Sequence, residues 1–113
     1  MKKTLSLKKS NDFQFILKKG NWVSGDILTL YSITNNKGVN YLGIAVGKKG
    51  LNSVERNRIK RLIRESYRKV ENNLNIGYNI VILWKNKNDF NKATFENIFK
   101  DMEKCLKKAN ILV

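Results

Sequence analysis

The sequence predicts an α+β fold, a two-layer α-β sandwich in which helices pack on a small sheet. Three observations carry this expectation. Residues 27–34 and 39–46 contain apolar side chains in the short, turn-bounded pattern of strands. Residues 78–84, YNIVILW, form an unbroken run rich in β-branched residues, which suits a strand buried on both faces. Three further segments repeat apolar residues at the i, i+3, i+4 spacing of an amphipathic helix. The implied order is helix, strand, strand, helix, strand, helix, and one more short strand would bring the sheet to about four. With 113 residues and 42% hydrophobic content there is material for one modest core, so residues 1–113 are read as a single domain.

The first helix is placed at residues 7–19, with Ser10 as N-cap, Asp12 in the first turn, a stripe of Phe13, Ile16 and Leu17, and Gly20 at its end. Trp22 then falls in a loop against the edge of the core. In the first strand Ile27, Thr29, Tyr31 and Ile33 share one face, while Leu28, Leu30 and Ser32 share the other. Both faces are apolar enough to be partly covered. Asn35, Asn36, Lys37 and Gly38 give a turn signal, so residues 39–46 are expected to return as the antiparallel partner in a hairpin. The long helix is placed at residues 53–74 with Ser53 as its cap; Arg56 three positions on is no partner for a capping box. Residues 75–77 break it before the apolar run, and 85–90 form a polar loop. The last helix, 92–109, turns Phe95, Ile98, Phe99, Met102, Cys105 and Leu106 inward, which makes Cys105 a core residue.

Charge narrows the function. There are 23 Lys and Arg against 9 Asp and Glu, with no His, for a net charge of +14. Such a field favours a polyanionic partner through counterion release and steering. On the long helix a wheel puts Arg56, Asn57, Lys60, Arg61, Arg64 and Arg68 in one arc, and Ile59, Leu62, Ile63 and Val70 in another. A basic helix face is ordinarily just solvated. Here Glu55, Glu65 and Glu71 are too few to neutralise it, and Arg outnumbers Lys. Guanidinium suits bidentate phosphate contacts and stacking on bases, so a nucleic-acid-facing helix is the better reading. Lys48 and Lys49 add donors near the helix N-terminus, a favourable place for phosphate. Phe13 and Tyr31, each also an ordinary core residue, supply rings beside this basic surface for stacking unpaired bases.

Several chemistries lack their residues. The acids are scattered, with no DxD, ExK or HxE pattern to hold paired metal ions for a protein nuclease. Lys48, Lys49 and Gly50 lack the flanking residues of a P-loop. Cys105 is the sole cysteine, which excludes an internal disulfide or a cysteine-based zinc site and points to a reducing, cytoplasmic setting. The N-terminal MKKTLSLKKSNDF does not fit a signal peptide, and no stretch approaches the ~20 apolar residues of a membrane span. Binding, not catalysis, is what the polypeptide is equipped for. A structural ribosomal protein would share this charge and size; a protein-only nuclease and a membrane-surface peptide fit less well.

The run KKGLNSVERNRIKRLIRESYR resembles the signature of the bacterial ribonuclease P protein family, whose hallmark is an RNR segment opening the long helix. Here that segment is Arg56, Asn57 and Arg58. LKKSNDFQFILKKG, residues 7–20, is similar to the family's opening helix. The resemblance implies a protein that joins a catalytic RNA, ribonuclease P RNA, as a monomer in a one-to-one ribonucleoprotein that removes the 5′ leader from precursor tRNA. The RNA and its Mg2+ ions would perform the cleavage, with no catalytic residue on the protein. Lys48, Lys49, Arg56, Asn57, Arg58, Lys60, Arg61, Arg64 and Arg68 would contact RNA, and Phe13, Leu17, Thr29 and Tyr31 would line a cleft for the single-stranded leader. Leu17 stands where the family often has a second aromatic, which leaves apolar contact at that point. The resemblance also implies a left-handed βαβ crossover, against the usual right-handed rule.

Overall fold

A computed structural model of the protein describes residues 4–113. Along the chain come β1 (Thr4–Ser6), α1 (Ser10–Lys19), β2 (Asn21–Ser24), β3 (Leu28–Thr34), β4 (Asn40–Val46), α2 (Ser53–Val70), β5 (Tyr78–Trp84) and α3 (Phe95–Lys108). Single 3₁₀ turns at Glu71–Asn73 and Phe90–Lys92 lead into β5 and α3. The α+β class holds, with five strands among the described residues where about four were expected. The unforeseen strands, β1 and β2, are too short to display a period. Trp22 accordingly lies in β2, not in a loop, and is 65% exposed instead of covering the core.

The sheet order is β1, β4, β5, β3, β2, with β5 at the centre. It runs parallel to β4 and antiparallel to β3, β1 runs parallel to β4, and β2 runs antiparallel to β3. The expected hairpin of residues 27–34 with 39–46 is therefore not formed: β5 is inserted between its two arms. The link between them arches over the entrance to β5, where Asn35 N–H donates to the Gly77 carbonyl and Asn35 Nδ2 donates to Asn79 Oδ1 at 2.9 Å. A strand apolar on both sides gains more from two neighbours than from an edge position, and local turn chemistry cannot outweigh that gain.

The pleat separates two apolar layers. On one face Leu28, Leu30, Leu42, Ile80, Ile82 and Trp84 pack with Ile59, Leu62, Ile63 and Tyr67 of α2 and Ile98, Met102, Cys105 and Leu106 of α3. On the other, Val81 packs with Leu7 and with Ile16 of α1, bordered by Phe13, Tyr31, Ile33, Tyr41 and Leu83. The helices thus divide between the faces, α1 against α2 and α3. Cys105 is buried, as its place in the inward stripe requires, whereas Phe95 stays at the rim, stacked on Phe99 with centroids 5.5 Å apart.

Polar side chains pin these layers. The Asp101 carboxylate, on α3, accepts from the backbone N–H groups of Asp26 (2.8 Å), Ile27 (3.0 Å) and Leu28 (2.8 Å), tying the β2–β3 turn to the helix layer. Gly25 makes room for it, since a Cβ there would lie 2.5 Å from the carboxylate oxygens. Tyr67 Oη and Thr4 Oγ1 share a buried 2.8 Å hydrogen bond that fastens β1 to α2. Helix entry differs from expectation at two points. The α1 N-cap is Lys9, without a side-chain bond, because Ser10 is already helical. The α2 N-cap is Asn52, one residue before Ser53, and that shift makes Glu55 the N3 residue of a complete capping box. The long helix also ends at Val70, since Glu71–Asn73 tightens into the 3₁₀ turn.

Asp101→Ala would strand three amide donors, so it is expected to lower unfolding free energy by about 3 kcal/mol in urea titration. A second expectation concerns alkali. Burial, helped by nearby Asp101, pushes the Cys105 thiol up from 9.0 to about 11, and burial likewise raises the Tyr67 phenol. The unfolded chain ionises these groups at lower pH than the native one does. Stability is therefore intact below the unfolded values and falls as pH rises through the native ones. Urea midpoints measured across pH 9.0 to about 11 should decline, and less steeply for Cys105→Ala.

Candidate nucleic-acid interface

The amphipathic pattern of α2 decides which side chains are left outside. Ile59, Leu62, Ile63, Ser66, Tyr67 and Val70 are buried, so Asn57, Arg58, Arg61, Arg64 and Arg68 are exposed, with Arg56 and Lys60 half-buried. Among the described residues only Arg61 of this set meets an acid, Glu65, at 3.8 Å and well exposed to water, a pairing of little strength. Arg56 is held down by donating from Nη1 to the Leu51 carbonyl at 2.9 Å. Arg56, Lys60 and Arg64 form one i, i+4 row. A neighbouring shallow recess is lined by Val54, Asn57, Arg58 and Arg61.

Lys48 and Lys49 are exposed in the loop entering α2, in a turn closed by Leu51 N–H donating to the Lys48 carbonyl. Gly50 adopts φ +73 there, a conformation suited to glycine. A capping box engages two of the amide hydrogens at this helix end. Asn52 accepts from the Glu55 N–H, and the Glu55 carboxylate accepts from the Asn52 N–H. The box thus occupies the Asn52 and Glu55 amides, and Lys48 and Lys49 stand exposed in the turn before it.

On the opposite face of the sheet α1 crosses a row formed by Gly43, Val81, Tyr31 and Trp22, one from each of β4, β5, β3 and β2. Phe13 lies so close to Gly43 that a Cβ there would come within 2.4 Å of the ring's Cζ. Gly43 is what lets the ring lie down on the strand. The next row, Ala45, Leu83, Thr29 and Ser24, is left half open, with Thr29 and Leu83 half-buried. Leu17 is 39% exposed, one turn on from Phe13. Phe13 and Tyr31 pack at the border of the apolar cluster of Leu7, Ile16 and Val81, while Thr29 lies in the next row of the same sheet face and Leu17 on the exposed side of α1.

The two groups of residues meet at one place. β1 pairs only with Asn40, Tyr41 and Leu42, so the remainder of β4, from Gly43 to Val46, is an open sheet edge. Around that edge Arg64 of α2 reaches the recess that also contains Phe13, Gly43 and Ile44. Side chains from the two layers, Arg64 and Phe13, thus line one recess at this edge. Arg68 and Arg61 lie elsewhere on the α2 surface, and Lys48 and Lys49 at its N-terminal end.

The model of the Ribonuclease P family matches residues 1–110. The chain belongs to the ribonuclease P protein family. It is 37% identical over 106 residues to the ribonuclease P protein component of Clostridium botulinum strain Langeland, covering 93% of this chain and 94% of that one. With the component from Clostridium kluyveri it shares 39% identity over 111 residues, with coverage of 93% and 94%. Among solved structures, the RNase P protein of Staphylococcus aureus superposes with TM-score 0.79 at 34% identity, covering 96% of this chain and 97% of that one. The RNase P protein from Thermotoga maritima gives TM-score 0.82 at 26% identity, with coverage of 91% and 96%. As a ribonuclease P protein component the chain is part of the ribonucleoprotein that cleaves precursor tRNA.

Two features of this family member escape a reading of its sequence. Gly43 looks like any strand glycine until Phe13, thirty positions earlier in the chain, is laid across it. Trp22 joins the sheet face of Tyr31 and Val81 only because β2 pairs with β3 in the register that sets it opposite Tyr31. Gly43→Ala should displace the Phe13 ring and cost about 1–3 kcal/mol of stability. In a double-mutant cycle with Phe13→Ala, that cost should largely vanish.

Proposed function

We propose that this protein binds ribonuclease P RNA through the exposed basic face of α2 and holds the single-stranded 5′ leader of precursor tRNA in the cleft between α1 and the sheet. The observation that carries the reading is the recess at the open edge of β4, which Arg64 of α2 and Phe13 of α1 both line. A leader lying over Phe13, Tyr31 and Thr29, with Leu17 at its side, would stack bases on rings and present phosphates to Arg64 and to its row-mates Lys60 and Arg56. Asn57, Arg58, Arg61 and Arg68, with Lys48 and Lys49, are assigned to the structured RNA, where several weakly neutralised cations suit adjacent phosphates.

In this reading the protein contributes affinity and position, not bond cleavage. No group of three or more His, Cys, Asp or Glu is assembled as a metal site among the described residues. In this reading Mg2+ is held mainly by the RNA. No helix among the described residues is long and apolar enough to cross a membrane. The complex is read as one protein to one RNA, in the cytoplasm, with residues 1–113 acting as one domain.

The deciding experiment is cleavage of a precursor tRNA at low magnesium by the protein alone, by a bacterial ribonuclease P RNA alone, and by the mixture. Cleavage at the mature 5′ end is expected from the mixture only. Activity of the protein alone would move the chemistry into the polypeptide and overturn the assignment. Arg64→Ala should weaken precursor binding and lower the slope of log affinity against log salt by about 1, as loss of one phosphate contact requires.

A further inference from the structure

Trp22 is the most exposed aromatic side chain among the described residues, at 65%, and the cleft just assigned does not use it. Its direction is settled twice over. It is the register partner of Tyr31 across β2 and β3, and cross-strand partners share a face. Its neighbour Val23 packs into the opposite core, against α2 and α3. The indole therefore stands on the cleft face, one strand beyond Tyr31, on an edge strand where no further element covers it. A singly exposed apolar ring is common on protein surfaces, and what sets this one apart is its place beside Tyr31 on the same sheet face. Its surroundings are cationic. Lys18 and Lys19 lie exposed in the last turn of α1, which Gly20 joins directly to β2. Lys85 Nζ donates to Ser24 Oγ at 2.7 Å, two residues from Trp22 on the same strand face. None of these three lysines has an ion-pair partner among the described residues.

We propose that Trp22 is an additional base-stacking position, extending the leader cleft across β2 so that a leader nucleotide beyond the one on Tyr31 stacks on the indole while Lys18, Lys19 and Lys85 face its flanking phosphates. The inference rests on the leader-cleft reading above. An exposed π-face between ammonium groups is the chemistry of single-stranded nucleic-acid sites, and it tolerates any base because every base offers a face. The rings of Tyr31 and Trp22 spring from positions about 5 Å apart, close enough to serve successive bases of one strand. A long leader would therefore gain from Trp22 and a very short one would not.

The test uses the holoenzyme assembled from the full chain and ribonuclease P RNA, with two precursor tRNAs, one with a leader of roughly ten nucleotides and one with a leader of about two. Trp22→Ala, shown to be folded by circular dichroism, should reduce the preference for the long leader roughly tenfold, and Trp22→Phe should restore most of it. Emission should report the same event in the isolated protein titrated with oligouridylate. The second tryptophan, Trp84, is 3% exposed in the core, so quenching reads Trp22. An unchanged leader-length preference in Trp22→Ala overturns the proposal. If Phe13→Ala and Tyr31→Ala still weaken long-leader binding in that case, the cleft stands without its extension; if they too are silent, the cleft reading itself falls. Quenching that follows protein concentration without RNA would assign Trp22 to edge-to-edge association of two copies, and the proposal would fail.

Discussion

Both faces of β5 must be dry, and the rest of the fold answers to that requirement. Ile80, Val81 and Ile82 are fully buried and their side chains alternate between the two sides of the sheet. Burying them needs a strand on each side of β5, since its backbone groups must also be paired, and a helix layer on each face. The β4–α2–β5 crossover supplies the parallel neighbour and one layer. The arch from β3 to β4 supplies the antiparallel neighbour, and α1 covers what the crossover leaves bare.

That solution has a cost, and it falls at the functional surface. α1, at 10 residues, is too short to cover the whole second face, and β1 pairs with only the first part of β4. A half-covered sheet and a free strand edge remain side by side. An exposed edge is ordinarily a liability that proteins blunt with charge. Here the charge comes from α2 around the corner, where Arg64 lines the recess that also contains Gly43 and Ile44 of the open edge. In the reading proposed above, incomplete covering is what leaves space for an extended RNA strand.

Electrostatics enter at a different level from packing. A net charge of +14 on 113 residues does nothing to specify the sheet, and the few ion pairs among the described residues are long and exposed. The acids with structural roles work on backbone amides instead: Asp101 holds the β2–β3 turn, and Glu55 closes the cap of α2. Carboxylates committed to amide hydrogens leave the cations of α2 with little internal compensation. Self-repulsion of this kind destabilises the isolated fold and is relieved by a polyanion.

What the sequence determined by itself was whatever depends on neighbours a few positions apart. The 3.6-residue stripes of α2 and α3, the burial of Cys105, the apolar run of β5 and the unneutralised arginine face were all legible, because periodicity and local charge are properties of a segment. The RNR run added a specific resemblance that the family match supports. Strand pairing, by contrast, is settled by contacts across the whole sheet. Residues 27–34 and 39–46 carry a plausible hairpin signal and still part to admit β5, because the gain from burying a central strand is a whole-sheet quantity. Trp22 reaches the sheet face that α1 packs on through β2 register, Gly43 is required by a ring from α1, and Arg64 and Phe13 line one recess at the edge that β1 leaves open. Each is a contact between segments distant in the chain, and no local pattern encodes the distance that closes it.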